Sequence, residues 1–173
     1  MRPRYNLARK KAAELLHAAA VSEAPVPVET LAELAGAVIR YEPFEGQLSG
    51  MLFRSEDGAV IGVNSLHAAV RQRFSIAHEI GHLLLHEPEL HVDEHAFVAF
   101  RDLESSKASD PAEIEANQFA AALLMPADLL TQSIAELGHN PDVSDAIRIL
   151  AQRFQVSQEA MTIRLSKLGY LTE

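Results

Sequence analysis

The sequence predicts an α+β fold, and three observations carry that prediction. Apolar residues recur at spacings of three and four near both ends of the chain. Two β-rich runs, SGMLFR and AVIGVN, flank the turn signal SEDG. Between the second run and the later helical segments lies IAHEIGHLLL, residues 76–85, an apolar helical run with two histidines and a glutamate set into it. Together these give helices packed on a small sheet.

The elements follow in order. Leu7, Ala8, Ala12, Leu15, Leu16 and Ala19 form one face of an amphipathic helix. Pro25 and Pro27 break the chain, a short helix runs from about Val28 to Ala35, and Gly36 is placed to end it. Val38, Ile39 and Tyr41 read as a strand, and the two runs around SEDG read as a β-hairpin. The helix bearing IAHEIGHLLL comes next, stopped by Pro88. In the stretch from Glu89 to Pro111, HAFVAF is compatible with a strand, whereas LESSKASDP is turn-like. Helical periodicity returns in EIEANQFAAALLMP and ends at Pro126; two or three further helices fill the remainder. This divides the chain into a core, residues 1–126, and a C-terminal helical part, residues 127–173, packed on it.

Composition narrows the chemistry. At 173 residues and 48% hydrophobic content the chain suffices for one packed domain. It has no cysteine, which excludes disulfides, thiolate nucleophiles and thiolate metal sites. A transition metal would have to be held by nitrogen and oxygen. No apolar run approaches the roughly 20 residues of a membrane span, and the N-terminal stretch lacks a cleavage signal, so the expected location is the cytoplasm and no membrane partner is expected. A formal net charge of −9 disfavours a phosphate backbone as partner.

On a helix turning about 100° per residue, His78 and His82 fall about 40° apart on one face, with Glu79 at its edge and Ile76, Ile80, Leu83 and Leu84 largely opposite. Two imidazoles one turn apart can share one zinc ion, and a glutamate offset from them acts on water instead of on the ion. Surface histidines would not be bracketed by IA and LLL. Gly81, unfavourable inside a helix by about 1 kcal/mol, suggests that another backbone approaches there.

A third ligand must be a carboxylate or another histidine. In EIEANQFAAALLMP, Glu113 shares a face with Ala116, Asn117, Ala120 and Leu124, whereas Glu115 points about 200° away. Glu113 is therefore favoured over Glu115 as ligand, with Asn117 as its neighbour one turn on, and Glu115 is expected to face outward. His86 lies about 12 Å along the helix from His78, too far for both to bind one ion, and reads as a polar helix end. His91 and His95 read as loop residues, either of which could donate to an oxyanion. His17, His67 and His139 carry no informative spacing.

RQRFSIAHEIGHLLLHE followed by EIEANQFAAALLMP resembles the ImmA/IrrE family of metallo-endopeptidases. The similarity extends to PVPVETLAELAG, SGMLFR, VIGVN and LAQRFQVSQEAMTIRLSKLG, nearly the whole chain. The resemblance implies a zincin-like core with a small antiparallel sheet beside the metal helix, and a zinc site of His78, His82 and Glu113, with Glu79 as general base. Manganese or iron(II) would also suit such nitrogen and oxygen donors. It further implies a protein substrate, a helix-turn-helix repressor or antitoxin cleaved to derepress genes in a stress response or mobile element. The AVIGVN strand, if it borders the cleft, could pair with an extended substrate.

A rival class comes from DAIRILAQRFQVSQEAMTIRLSKLG, which has helix-turn-helix spacing, Val156 and Ser157 at the turn, and Arg164 and Lys167 on the second helix. On that view the chain is a DNA-binding or protein-binding metal-dependent regulator without turnover. Direct nucleic-acid binding is disfavoured by the acidic balance.

Overall fold

The computed structural model describes residues 2–46, 48–56, 58–86, 110–138 and 142–171, together with the backbone of 90–93. The first helix, α1 (Tyr5–Ala18), buries Ala8, Ala12 and Leu15, the face its periodicity marks. The short α2 (Val28–Leu34) ends before Gly36, whose φ of 87° lies in the left-handed region that glycine adopts at little cost. Strands β1 (Ala37–Glu42), β2 (Gly50–Ser55) and β3 (Gly58–Asn64) follow, and then α3 (Ala69–Leu85), which carries the histidine motif. The fourth strand, β4 (Leu90–Asp93), precedes α4 (Pro111–Leu124), α5 (Ala127–Glu136), α6 (Val143–Phe154) and α7 (Gln158–Lys167).

The hairpin forms as expected, from Gly50 opposite Val63 to Ser55 opposite Gly58. The sheet is mixed, however, not antiparallel. Its order is β1-β3-β2-β4, and β1 pairs with β3 in parallel, Ala37 opposite Ala59 through Glu42 opposite Asn64. The cause is topological: residues 43–49 carry the chain past the site where β3 will lie, so the returning hairpin inserts β3 beside β1. Asn64 fixes this crossover, its Nδ2 donating to the carbonyls of Phe44 (3.1 Å) and Leu48 (2.7 Å), while its Oδ1 accepts from the amide of Leu66 (3.0 Å). A second correction follows. Both edges of β3 are occupied, so the AVIGVN strand has no free edge with which to receive a substrate.

One face of the sheet, with Leu52, Ala59, Ile61 and Val63, packs against the helices. The buried cluster runs without a break through Phe74, Ile76 and Ile80 of α3, Phe119 and Leu123 of α4, and Leu130, Leu150, Phe154, Met161 and Leu165 of the last three helices. The strand suggested for HAFVAF, residues 103–109 of the polar LESSKASDP stretch, and the stop at Pro88 lie outside the described residues. β4 pairs with β2, placing Gly50 opposite Asp93 and Phe53 opposite Leu90. Among the described residues, no helix is long and apolar enough to cross a membrane.

Candidate metal centre

Helices α3 and α4 meet at the motif, and their closeness is set by small residues. A methyl group on Gly81 would lie 3.1 Å from Cα and 3.2 Å from the carbonyl oxygen of Ala116, so the bare glycine lets the two backbones nearly touch. Ala116 and Ala120 are fully buried, and Phe119 fills the space beside them. The start of α4 is fixed by Asp110, whose Oδ1 accepts from the amide of Ala112 at 2.9 Å, with Pro111 at the first helical position. This cap places Glu113 in the first turn, level with the motif histidines.

There three donors converge. His78 Nε2 lies 3.0 Å from His82 Nε2, 3.2 Å separates His78 Nε2 from Glu113 Oε2, and 3.3 Å separates His82 Nε2 from Glu113 Oε1. An ion about 2.0–2.1 Å from three tetrahedrally disposed donors requires them to be about 3.3–3.4 Å apart, so the triangle has the size of a transition-metal site. Among the described residues, His78, His82 and Glu113 are the group able to hold a metal ion. Both histidines are sealed from solvent, while Glu113 keeps a fifth of its side chain exposed, so the cluster meets solvent on the carboxylate side. Burial alone would raise the Glu113 pKa, but the adjoining imidazoles of His78 and His82 outweigh it and hold the carboxyl well below its usual range. Glu79 is fully buried one residue from His78, against β2, where Gly50 makes room for it: a methyl group there would come within 3.2 Å of Glu79 Oε1.

Each histidine is also held from behind. His78 Nδ1 lies 3.0 Å from Asn117 Oδ1, the neighbour expected one turn beyond Glu113. His82 Nδ1 lies 3.1 Å from His86 Nδ1, and His86 Nε2 lies 3.1 Å from Glu115 Oε2. The expectation that Glu115 faces outward is overturned, since it is only 2% exposed. The wheel places it correctly away from Glu113, but α1 covers that side of α4. Arg4, at the start of α1, gives Glu115 its backbone amide (2.7 Å to Oε1) and its guanidinium (Nη2 2.7 Å from Oε2), which pulls the carboxyl down to about 2. His86 is accordingly no free helix end.

The C-terminus of α3 is capped by two arginines. Arg54 Nη2 lies 2.8, 2.7 and 2.6 Å from the carbonyl oxygens of His82, Leu83 and His86, and Arg4 Nη2 lies 3.1 Å from that of Leu85. Sequence reasoning missed both. A signal for Arg54 existed: strand alternation puts it on the same face of β2 as Gly50 and Leu52, the face turned to α3. Of the other histidines, His95 and His139 lie outside the described residues and His91 is described only as backbone in β4. His67 Nε2 sits 3.5 Å from Asn64 Nδ2.

Two histidines and a carboxylate of this kind, on a buried helix pair beside a small sheet, define a class of proteins with a candidate metal centre of nitrogen and oxygen donors. The chain matches the Peptidase_M78 family, the IrrE N-terminal-like domain, over residues 32–166, and it belongs to that family. It is 39% identical to the radiation response metalloprotease IrrE of Deinococcus deserti, an alignment covering 61% of this chain and 43% of that protein. It is 33% identical to the radiation response metalloprotease IrrE of Deinococcus radiodurans, covering 62% of this chain and 31% of that protein. The chain thus spans less than half the length of these two relatives.

Proposed function

We propose that this chain is a zinc-dependent endopeptidase with a zincin-like core, residues 1–126, on which the helical part 127–173 packs. The observation that carries this reading is the donor triangle of His78, His82 and Glu113, which has the dimensions of a metal site. His78 and His82 would present Nε2 and Glu113 an oxygen, a nitrogen and oxygen set that suits zinc and tolerates manganese or iron(II). The ion, when bound, supplies Lewis acidity toward a peptide carbonyl and a water molecule. Glu79 would take a proton from the attacking water at its carboxylate oxygen and return it to the leaving amine. Gly50 supports this role because it leaves the Glu79 carboxylate space between α3 and β2. The substrate would be a protein, a helix-turn-helix repressor or antitoxin, cleaved in the cytoplasm during a stress response or mobile-element induction; family resemblance supports that part.

The reading as a DNA-binding regulator without turnover loses support from Arg164. This residue is 5% exposed, and its Nε donates to the carbonyl of Met125 at 3.0 Å, so one of the two basic groups assigned to the second helix is spent inside the protein.

Elemental analysis of the purified protein tests the site: about one divalent ion per chain is expected, and none in the double variant His78→Ala, His82→Ala. Equal metal content in both would remove the assignment. Mixing the metal-loaded protein with the repressor encoded by an adjacent gene should release two fragments, and an intact repressor would overturn the substrate class.

A further inference from the structure

We infer that His86 and Glu115 are positioning residues that act on the metal site through His82, as a relay running from Glu115 through one imidazole to the next. The inference rests on the reading of His82 as a metal ligand. Its structural basis is a continuous line of contacts: Arg4 to Glu115, Glu115 Oε2 to His86 Nε2 at 3.1 Å, and His86 Nδ1 to His82 Nδ1 at 3.1 Å.

Donor and acceptor bookkeeping fixes the direction of this line. Ionised Glu115 can only accept, so His86 must carry its proton on Nε2 and donate it there. With its single ring proton on Nε2, His86 has a bare Nδ1, which can only accept. The facing Nδ1 of His82 must therefore carry the proton and donate, and the lone pair of His82 is left on Nε2, the atom 3.3 Å from Glu113 Oε1 and 3.0 Å from His78 Nε2. One anionic side chain thus selects the tautomer of a ring it does not touch. The opposite flank reaches the same result by a shorter route, with Asn117 Oδ1 accepting from His78 Nδ1. A hydrogen-bonded partner behind a ligating histidine orients the ring and raises its basicity, which is worth about 10- to 100-fold in metal affinity.

Arg4 makes the arrangement depend on the far end of the sequence. It supplies Glu115 with a backbone amide and the guanidinium, so the carboxylate is held rigidly and its charge is balanced before His86 is reached. Docking of α1 on α4 and orientation of His82 are therefore coupled through one carboxylate.

Two measurements test the relay. In the zinc-loaded protein, long-range proton–nitrogen correlation spectra of the imidazoles should show His86 protonated at Nε2 with Nδ1 bare; protonation of His86 at Nδ1 would overturn the relay without any substitution being made. The second is zinc affinity, read by competition with a chromophoric chelator. His86→Phe keeps a ring of similar size and leaves the Arg4–Glu115 pair in place, so helix docking is preserved while the relay is cut. Its affinity should fall about 10- to 100-fold. Adding Glu115→Gln to His86→Phe should weaken binding no further, because the carboxylate acts on His82 only through His86. An affinity of His86→Phe within twofold of the parent chain, or a further tenfold loss in the double variant, would refute the proposal. Failure of the metal site itself has a different signature: the parent chain would then bind no zinc, or bind it as well with His78→Ala, His82→Ala.

Discussion

His82 in α3 and Arg164 in α7 are both nearly sealed from solvent, at 1% and 5% exposure, and both sit in segments whose sequence suggests binding chemistry. The α3–α4 seam gathers its buried polar groups around one point, with three donors within hydrogen-bonding reach of one another and further groups arranged behind them. The α6–α7 pair does the reverse. Arg164 donates to a backbone carbonyl at the end of α4, and the surrounding positions Leu150, Phe154, Met161 and Leu165 are core. Burial burdens every polar group alike. What separates a site from a fastening is whether the partners converge on a common point or discharge the group singly.

The largest effect that would break this comparison belongs to Glu79. Glu79→Gln should leave metal content and folding unchanged, since the amide fills the same space, but it cannot accept a proton from water at neutral pH. Cleavage of the proposed repressor substrate should fall by about 10²- to 10⁴-fold, the usual contribution of a positioned acid–base group. Cleavage at the parent rate would show that the seam gathers polar groups without using Glu79 for catalysis.

Arg164 gives the next effect, on the other side of the comparison. Burial, reinforced by the charge of Arg9, lowers its pKa to about 10, so it is protonated at neutral pH and its hydrogen bond to Met125 is charge-assisted. Arg164→Met should cost about 1–2 kcal/mol in urea unfolding, because the Met125 carbonyl loses its partner while the replacement side chain recovers part of the packing. Metal affinity of the folded fraction should be unchanged. Parent-like stability combined with loss of a salt-sensitive gel shift on duplex DNA would instead return Arg164 to the nucleic-acid reading.

Much of this organisation was legible because it is local. Helical periodicity gives α1, the motif helix and α4, and the turn signal SEDG gives the hairpin, since both depend on residues a few positions apart. The wheel that put Glu113 and Asn117 on one face and Glu115 on another was likewise local, and the structure brings Glu113 and Asn117 up to the motif histidines. What escaped is long-range. Glu115 is buried because Arg4, 111 residues earlier, lies across it, and nothing in EIEANQFAAALLMP reveals that cover. The parallel pairing of β1 with β3 depends on where the crossover at 43–49 runs, which strand propensity does not encode. Arg54 lies between these cases: its place on the inward face of β2 was readable, but its three carbonyl partners belong to a helix end 28–32 residues later.

The smallest effect, and the sharpest probe of the seam, comes from Gly81. Alanine would gain about 1 kcal/mol of helix propensity at this position. Against it, the new methyl group would stand 3.1 Å from Ala116 Cα and 3.2 Å from its carbonyl oxygen, both backbone atoms that can yield only if α4 shifts as a unit. Overpacking of this kind costs about 1–3 kcal/mol, so Gly81→Ala should lower stability by about 1 kcal/mol net. That loss is no larger than the one expected for Arg164→Met, yet its consequences should differ. Ala116 and Glu113 belong to one helix, so moving α4 a few tenths of an ångström away from α3 moves Glu113 relative to His78 and His82, and zinc affinity should fall together with stability. Arg164→Met, by contrast, disturbs only the far end of α4. Equal stability losses with metal affinity reduced in Gly81→Ala alone would locate the close approach of the two helices as part of the site; a Gly81→Ala protein more stable than the parent, with unchanged zinc affinity, would show that the seam has slack and that the glycine serves neither purpose.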